Sequence, residues 1–150
     1  MLINNIAWGL RRFPLFPVFG SGDYHVQPVH VDDLAGIAVA AAGESMDLTV
    51  DAAGPETLTF EELVRNIAKG IAARGRPVHM SPRIALALTW ALGVLMRDVV
   101  LTRHESGGLM AALLVSETAP TGATRFSEWL RDHGDSLGRR YVSELTRHYR

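Results

Sequence analysis

The polar residues with the clearest chemical potential lie between a turn and a helix start, at residues 23–33. His30 and Asp32 have the His-x-Asp spacing that forms one edge of a two-histidine, one-carboxylate iron site. A third ligand would have to come from a distant histidine, such as His79 or His104. The simpler interpretation is that Asp32 caps the helix that follows, while His30 packs along a strand. We therefore expect no metal site here.

Two patterns that would give the chain redox chemistry are missing from its sequence. There is no Tyr-x-x-x-Lys pair, because Lys69 is the only lysine and Arg65 stands four residues before it. In such a pair the lysine charge lowers the pKa of the tyrosine. Gly20 and Gly22 have no third glycine and lead into a predicted strand, whereas a dinucleotide-binding turn opens a helix. We therefore predict neither catalytic nor cofactor-binding residues in this chain.

A hydrolytic site is also disfavoured by the sequence. No Gly-x-Ser-x-Gly elbow occurs, so Ser106 and Ser116 lack the strand-turn-helix setting that exposes a serine nucleophile. The chain has no cysteine, which removes thiolate nucleophiles, disulfides and cysteine-ligated zinc. What remains is the chemistry of binding.

The composition is that of one globular domain spanning residues 1–150, with 47% hydrophobic and 21% charged residues. The net charge of -1 gives no field that would attract nucleic acid or an anionic membrane. The longest apolar run, 84–96, is shorter than the ~20 residues that a membrane-spanning helix needs. We expect a cytoplasmic protein that binds neither nucleic acid nor membrane.

The periodicity of apolar residues and the turn signals predict an α+β fold, mostly helical, with three or four short strands. Asp32 is the expected N-cap of an alanine-rich helix, and Thr59 with Glu62 has the form of a capping box. The expected helices cover residues 2–12, 33–43, 60–73, a stretch from 82, 102–114, a short helix around Phe126, and 137–149. The expected strands cover 18–19, 26–31, 48–51 and 77–80.

Three segments in the same order resemble the C-terminal portion of atypical, epimerase-like short-chain dehydrogenases, the NAD-dependent epimerase/dehydratase family. The first runs from Phe19 to Ala35 and contains Gln27-Pro28-Val29-His30-Val31-Asp32-Asp33. The second is Asp51-Ala52-Ala53-Gly54-Pro55 through Leu63, and the third combines Phe126-Ser127-Glu128-Trp129-Leu130 with Leu137-Gly138-Arg139-Arg140-Tyr141. Together they span nearly the whole chain.

The resemblance implies the substrate lobe of a Rossmann-type epimerase fold whose NAD(P)-binding Rossmann half is absent from this chain. NAD or NADP would bind to that missing N-terminal half, and none is expected on this chain alone. In the family the lobe lies over a cleft for a nucleotide-sugar-like small molecule. By this resemblance Gln27, His30, Asn5 and Phe19 are the candidate substrate-binding residues, with Trp8 and Asn4 nearby.

Two hypotheses about function follow from the resemblance. The chain is either the substrate-binding part of an NAD(P)-dependent nucleotide-sugar epimerase/dehydratase-like oxidoreductase, inactive by itself, or a non-catalytic binding and assembly module derived from the same family. In both cases apolar helix faces and strand edges that normally meet the missing half would be exposed. We therefore expect a homo-oligomer, since exposed apolar patches and unpaired edges favour association.

Overall fold

Two parallel strands, Leu15–Phe19 and Arg76–Met80, and the helices that flank them organise the α+β fold. The computed structural model describes residues 1–81, 83–85, 87–88 and 114–143. In chain order the elements are α1 (Leu2–Arg12), β1 (Leu15–Phe19), β2 (His25–Val26), α2 (Val31–Ala42), β3 (Leu58–Thr59), α3 (Phe60–Gly70), β4 (Arg76–Met80) and α4 (Phe126–His133), followed by a 3-10 turn, Gly134–Ser136.

The strands form two small sheets among the described residues. β1 and β4 pair in parallel over five residues, from Leu15 opposite Arg76 to Phe19 opposite Met80. β2 and β3 form a two-residue antiparallel pair. Val26 also bridges to Leu114 in parallel, and the amide of Gln27 donates to the Leu114 carbonyl at 3.0 Å. This contact brings the chain after residue 113 back beside β2.

Prolines occupy the outer edge of both parallel strands. The amide of Arg76 donates to the Pro14 carbonyl, and the amide of Gly20 donates to the Met80 carbonyl. These bonds show which residues of each strand direct their backbone N–H and C=O groups toward the other strand. Because alternate residues of a strand point their backbone groups in opposite directions, Pro17 and Pro77 face outward. Neither has an N–H to give to a further strand. The edges of this sheet are therefore poor places for strand addition.

The core lies between α1, α3, β1 and α4. Helix α3 buries Leu63, Val64 and Ile67 at helical spacing, as its sequence predicts. The predicted capping box is confirmed: Thr59 accepts from the amide of Glu62 at 3.1 Å, and the Glu62 carboxylate accepts from the amide of Thr59 at 2.8 Å. The cluster of buried apolar residues is Ile6, Ala7, Leu10, Val18, Tyr24, Val26, Phe60, Leu63, Val64, Ile67, Ile71, Phe126, Leu130 and Leu137.

Several predicted elements are confirmed and others are wrong. The helix over 2–12 and the helix around Phe126 are present. The strand predicted over 26–31 is limited to His25–Val26, because α2 already starts at Val31. Residues 48–51 form no strand, since these exposed residues find no neighbouring strand. Residues 137–143 are not helical; they begin with a turn and a bend and are held against α1 by hydrogen bonds to Asn4 and Asn5.

The N-cap of α2 is His30, and the prediction that Asp32 caps this helix is wrong. The Nδ1 atom of His30 accepts from the amide of Asp32 at 3.3 Å, so Asp32 lies in the first helical turn. A carboxylate in that turn is favoured by the helix dipole. Of the helix predicted over 102–114, residues 102–113 lie outside the described residues, as does most of the apolar run 84–96, and Leu114 forms a β-bridge with Val26 instead.

Helix α4 takes its N-terminal cap from a distant part of the chain. Its own N-cap residue, Arg125, forms no side-chain cap. Glu56 instead accepts from the amide of Ser127 at 2.8 Å, from the Ser127 hydroxyl at 2.6 Å and from Nε of Arg125 at 3.0 Å. Burial raises the pKa of the Glu56 carboxyl, but the bonds from Ser127 and Arg125 outweigh it and hold that pKa below its ordinary value.

Replacing Glu56 by glutamine should destabilise the fold by about 2 kcal/mol at pH 7, because a charge-assisted cap becomes a neutral one. Because the folded-state pKa of Glu56 is depressed, its stabilisation is present above the ordinary pKa of 4.5 and is lost as the pH falls below it. Denaturant unfolding at pH 7 and pH 4 should therefore show a smaller loss on acidification for Glu56→Gln than for the wild type. The exposed Glu44→Gln serves as the control, and an equal effect of both variants would contradict the prediction.

Candidate functional site

A cleft of about 530 Å³ opens between the start of α1, the segment that links β2 to α2, and the chain around residues 51–53 and 114–116. We call it the larger cleft. Its walls are mainly apolar, and its polar side chains are Gln27, Asp51 and Ser116. Its lining residues are Met1, Leu2, Ile3, Val26, Gln27, Pro28, Val29, Asp51, Ala52, Ala53, Leu63, Leu114, Val115 and Ser116. A mostly apolar cleft with a few polar groups is typical of a small-molecule site.

Gln27, a predicted substrate-binding residue, lies in the larger cleft and connects three segments. Its Nε2 donates to the Gly54 carbonyl at 2.7 Å, and its Oε1 accepts from the amide of Ser116 at 3.0 Å. One N–H of the amide group remains beyond these two bonds. Gln27 therefore holds the cleft together and keeps a single donor for a ligand.

Asp51 and Ser116 are cleft residues that the sequence did not indicate as binding residues. The hydroxyl of Ser116 donates to Oδ2 of Asp51 at 2.6 Å and accepts from the amide of Thr118 at 3.1 Å. Oδ1 of Asp51 has no hydrogen-bond partner among the described residues. No histidine lines this cleft within the part of the chain that the structure describes, so none of the described residues offers Ser116 the histidine base typical of a serine nucleophile. The signal available in the sequence was that Asp51 opens the Asp-Ala-Ala-Gly-Pro segment.

His30, the second predicted substrate-binding residue, lies in a neighbouring cleft of about 310 Å³. We call it the smaller cleft. It shares Met1, Ile3, Pro28 and Val29 with the larger one, and its other lining residues are Asn4, His30, Val31, Thr124, Phe126, Trp129 and Leu137. The rings of His30 and Trp129 lie 6.1 Å apart, and Trp129 stacks on His133 at 5.1 Å. His30 and Trp129 belong to the lining, and their flat rings suit an aromatic or apolar group, whereas His133 only supports Trp129 from outside it.

The Nδ1 atom of His30 is occupied as the cap of α2, so Nε2 carries the proton in the neutral ring. That N–H is the group of His30 that remains for a ligand in the smaller cleft. Asp33, three residues on, accepts at Oδ2 from the amides of Ala123 and Thr124, at 3.0 and 2.8 Å. The bond from the Thr124 backbone is the main reason that the pKa of Asp33 is below its ordinary value. The two residues thus fix the start of α2 against the wall of the smaller cleft.

Asn5, the third predicted residue, is engaged by the backbone near the C-terminal end of the described chain. Its Nδ2 donates to the Val142 carbonyl at 2.9 Å, and its Oδ1 accepts from the Val142 amide at 3.1 Å. Asn4 makes a similar pair of bonds, to the carbonyl of Arg140 and from the amide of Gly138. Asn4 lines the smaller cleft, whereas Asn5 lines neither cleft. The side-chain amide of Asn5 is used in this clamp. Its contact with a substrate stays a prediction.

Phe19, the fourth predicted residue, is buried at the end of β1 and lines neither cleft. Trp8 is also buried; its ring contacts those of Phe13 and Tyr141, and the guanidinium of Arg12 lies over it at 5.2 Å. The structure therefore brings Gln27 and His30 to adjacent clefts and separates Asn5 and Phe19 from them. The apolar character of Phe19 is explained by packing in the core, and the amide of Asn5 by its hydrogen bonds to Val142.

Two further properties concern the chain that the structure describes. No group of three histidine, aspartate or glutamate side chains converges there as metal ligands, and His79, a possible third partner for His30, pairs with Glu61 at 3.4 Å. No helix among these residues has the length and apolar character needed to cross a bilayer.

No protein-family model matches the sequence, and no curated protein matches it significantly.

The larger cleft depends on the absence of a side chain at Gly54. A Cβ atom at this buried position would overlap the carbonyl oxygen of Pro28, so the two segments could not approach each other. We expect Gly54→Ala to cost about 3 kcal/mol or more in the free energy of unfolding. In contrast, a Cβ at Gly36, inside α2, meets open space. Gly36→Ala should stabilise by about 0.5–1 kcal/mol, because alanine favours a helix. Denaturant unfolding checks both variants, and a loss at Gly36 as large as that at Gly54 would contradict this account of the cleft.

Proposed function

We propose that the chain is the substrate-binding C-terminal part of an NAD(P)-dependent, epimerase/dehydratase-like oxidoreductase, and that it needs a nucleotide-binding half for activity. The observation that carries this proposal is helix α2. Apart from Asp32 and Asp33, all of its residues are apolar or glycine, yet none of them is buried. An apolar helix of this kind is normally covered on one or more faces.

Three of the larger apolar residues of α2 are exposed, whereas Ile37 is half-buried. Val31 is 68% exposed, Leu34 is 44% exposed and Val39 is 75% exposed. The remaining positions are mostly alanine, and small side chains let a helix approach a sheet closely. A contiguous apolar surface of this kind marks an interaction site. Because Pro17 and Pro77 weaken the outer edges of the parallel strands, α2 is the better docking surface for a partner.

The position of α2 supports a role next to the clefts. The helix starts directly after residues 26–30, which line one or both clefts, and His30 is its cap. A nucleotide-binding half seated on α2 would be held beside the cleft mouths. In such an assembly, NAD or NADP and the Tyr-x-x-x-Lys acid/base pair would come from that half. This chain would supply the cleft walls, the free N–H of Gln27 and the N–H of His30.

The alternative function is a non-catalytic binding module that keeps the clefts and assembles through α2 without a cofactor. Asn5 and Gln27 make hydrogen bonds within the fold. These structural roles account for both residues without a catalytic reaction, which favours the non-catalytic module. Both functions use α2 as a contact surface, and they differ in whether a nucleotide-binding half is present in the assembly.

On its own, the chain should self-associate through α2, since two copies can cover each other's apolar helix. Sedimentation velocity over a range of concentrations should show a dimer or larger oligomer for the wild type. Val39→Glu should shift the distribution to the monomer, because the charge would have to be buried without a partner. Leu15→Glu, which adds the same charge at another exposed apolar position, should change it little. A wild-type chain that stays monomeric at high concentration would count against the use of α2 as a contact surface.

A second experiment tests the proposed function directly. NADH titrated into the chain alone should show no saturable change in fluorescence. The chain is then joined behind a nucleotide-binding half that carries Gly-x-x-Gly-x-x-Gly and Tyr-x-x-x-Lys, and the joined protein should bind NADH. It should unfold in a single cooperative transition. Val39→Glu should weaken the contact between the two parts, so that this single transition is lost. Tight NADH binding by the chain alone would overturn the proposal. A joined protein whose two parts unfold independently would favour the non-catalytic module.

A further inference from the structure

The hydrogen-bonding groups that remain free at the rim of the larger cleft define what it can bind. Gln27 has one N–H left after its bonds to Gly54 and Ser116. Asp51 has Oδ1 left after Oδ2 accepts from the Ser116 hydroxyl. Both side chains bond to Ser116, which makes Gln27 and Asp51 neighbours at the rim. One donor beside one acceptor matches a hydroxyl group, which both donates and accepts.

The charges of the residues that line the larger cleft indicate which classes of ligand it can bind. Among the described residues that line the larger cleft, Asp51 carries the only ionisable side chain, and none is arginine or lysine; the amino group of Met1 is the sole cation. Phosphate sites use arginine, lysine or helix N-termini to balance the anion. A phosphate placed at this rim would instead meet the carboxylate of Asp51. The positive N-terminal end of α1 borders another part of the lining, so this repulsion applies to the part of the rim formed by Gln27, Asp51 and Ser116, which is unsuited to the diphosphate of a nucleotide sugar.

The rest of the cleft fits an apolar body. Val26 and Leu63 are buried at its floor, and Leu114 and Ile3 contribute to its sides. Its volume of about 530 Å³ lies within the range of small-molecule sites. Burial of apolar surface would supply most of the affinity, and the rim would fix the orientation of the ligand.

We propose that the larger cleft binds an uncharged, hydroxyl-bearing small molecule with an apolar body, its hydroxyl held by Asp51 and Gln27, and that it rejects phosphorylated ligands. The inference rests on the proposed function in taking this cleft as the substrate site. It replaces the nucleotide-sugar-like substrate by an alcohol, whose hydroxyl can donate to Asp51 and accept from Gln27. An alcohol is chemically suited to give up a hydride.

The test uses the side-chain amide of Gln27 as a reporter inside the cleft. Gln27 is the only glutamine in the chain, so selective ¹⁵N labelling of glutamine gives a single pair of amide signals. The probes are hexyl β-D-glucoside and hexyl phosphate, which share the apolar chain and differ in the head group. We expect the glucoside to shift the Gln27 signals in a saturable manner and hexyl phosphate to leave them unchanged at the same concentrations.

Variants at Asp51 separate the proposed contact from general apolar binding. Asp51 is exposed, so its replacement leaves the core intact. Asp51→Asn should weaken glucoside binding about tenfold, as expected for loss of a hydrogen bond to a charged acceptor. Asp51→Lys should reverse the preference, so that hexyl phosphate now shifts the Gln27 signals. Asp47→Asn, a nearby exposed aspartate outside the cleft, should leave both titrations unchanged.

Three results would overturn the inference: no saturable shift with the glucoside, equal binding of hexyl phosphate by the wild type, or no effect of either Asp51 variant. Saturable binding of UDP-glucose at the Gln27 signals would also overturn it while leaving the proposed function intact. In turn, failure of the joined protein to bind NADH would remove the proposed function and leave the ligand class of the cleft standing, because the titration uses the chain alone.

Discussion

The contact between Gln27, Gly54 and Ser116 is the constraint on which the candidate site depends. These residues belong to three segments that are far apart in the sequence, and their hydrogen bonds are of 2.7 and 3.0 Å. The approach requires glycine at position 54, because a Cβ there would occupy the place of the Pro28 carbonyl oxygen. Two further bonds, from the Gln27 amide to the Leu114 carbonyl and from the Ser116 hydroxyl to Asp51, join the same part of the chain and complete the walls of the larger cleft.

Similar long-range polar contacts hold other parts of the fold that have little sheet of their own. Asn4 and Asn5 clamp residues 138–142 along α1. Glu56 caps α4, and Asp33 holds the loop before it through two backbone amides. In each case a side chain satisfies backbone groups that no strand or helix satisfies, which is required wherever such groups lose contact with water. The short sheets are therefore only part of what orders the connecting segments.

This division explains how much of the structure the sequence predicts. Local signals gave correct predictions where the partners are close in the chain: the Thr59–Glu62 capping box and the helical face of α3 are both present. Predictions failed where the structure of a segment depends on residues that are far away in the sequence. Leu48 to Asp51 has the composition of a strand but finds no neighbouring strand, and residues 137–143 have helical spacing but are drawn along α1 by the two asparagines.

The same reasoning applies to the candidate site residues. Gln27 and His30 are polar residues next to a helix start, and a substrate-contact interpretation and a structural one are equally consistent with that position in the sequence. In the structure both residues have two roles, because each uses one side-chain group in a hydrogen bond within the fold and keeps another group for a ligand in the cleft that it lines. Asp51 escaped notice because its importance comes from Ser116, 65 residues away, and no local pattern encodes that contact.

The segment 26–31 joins the two surfaces on which the proposed function depends. Its residues form walls of both clefts, and its last residue begins α2, whose apolar faces are uncovered. A partner that covers α2 would restrict the helix, and with it His30 and the backbone up to Gln27. Docking and ligand binding would then act on the same short stretch of chain, and ordering it for one event would lower the entropic cost of the other. A coupling of this kind places the cleft under the control of whatever covers the helix, whether that is a nucleotide-binding half or a second copy of the chain.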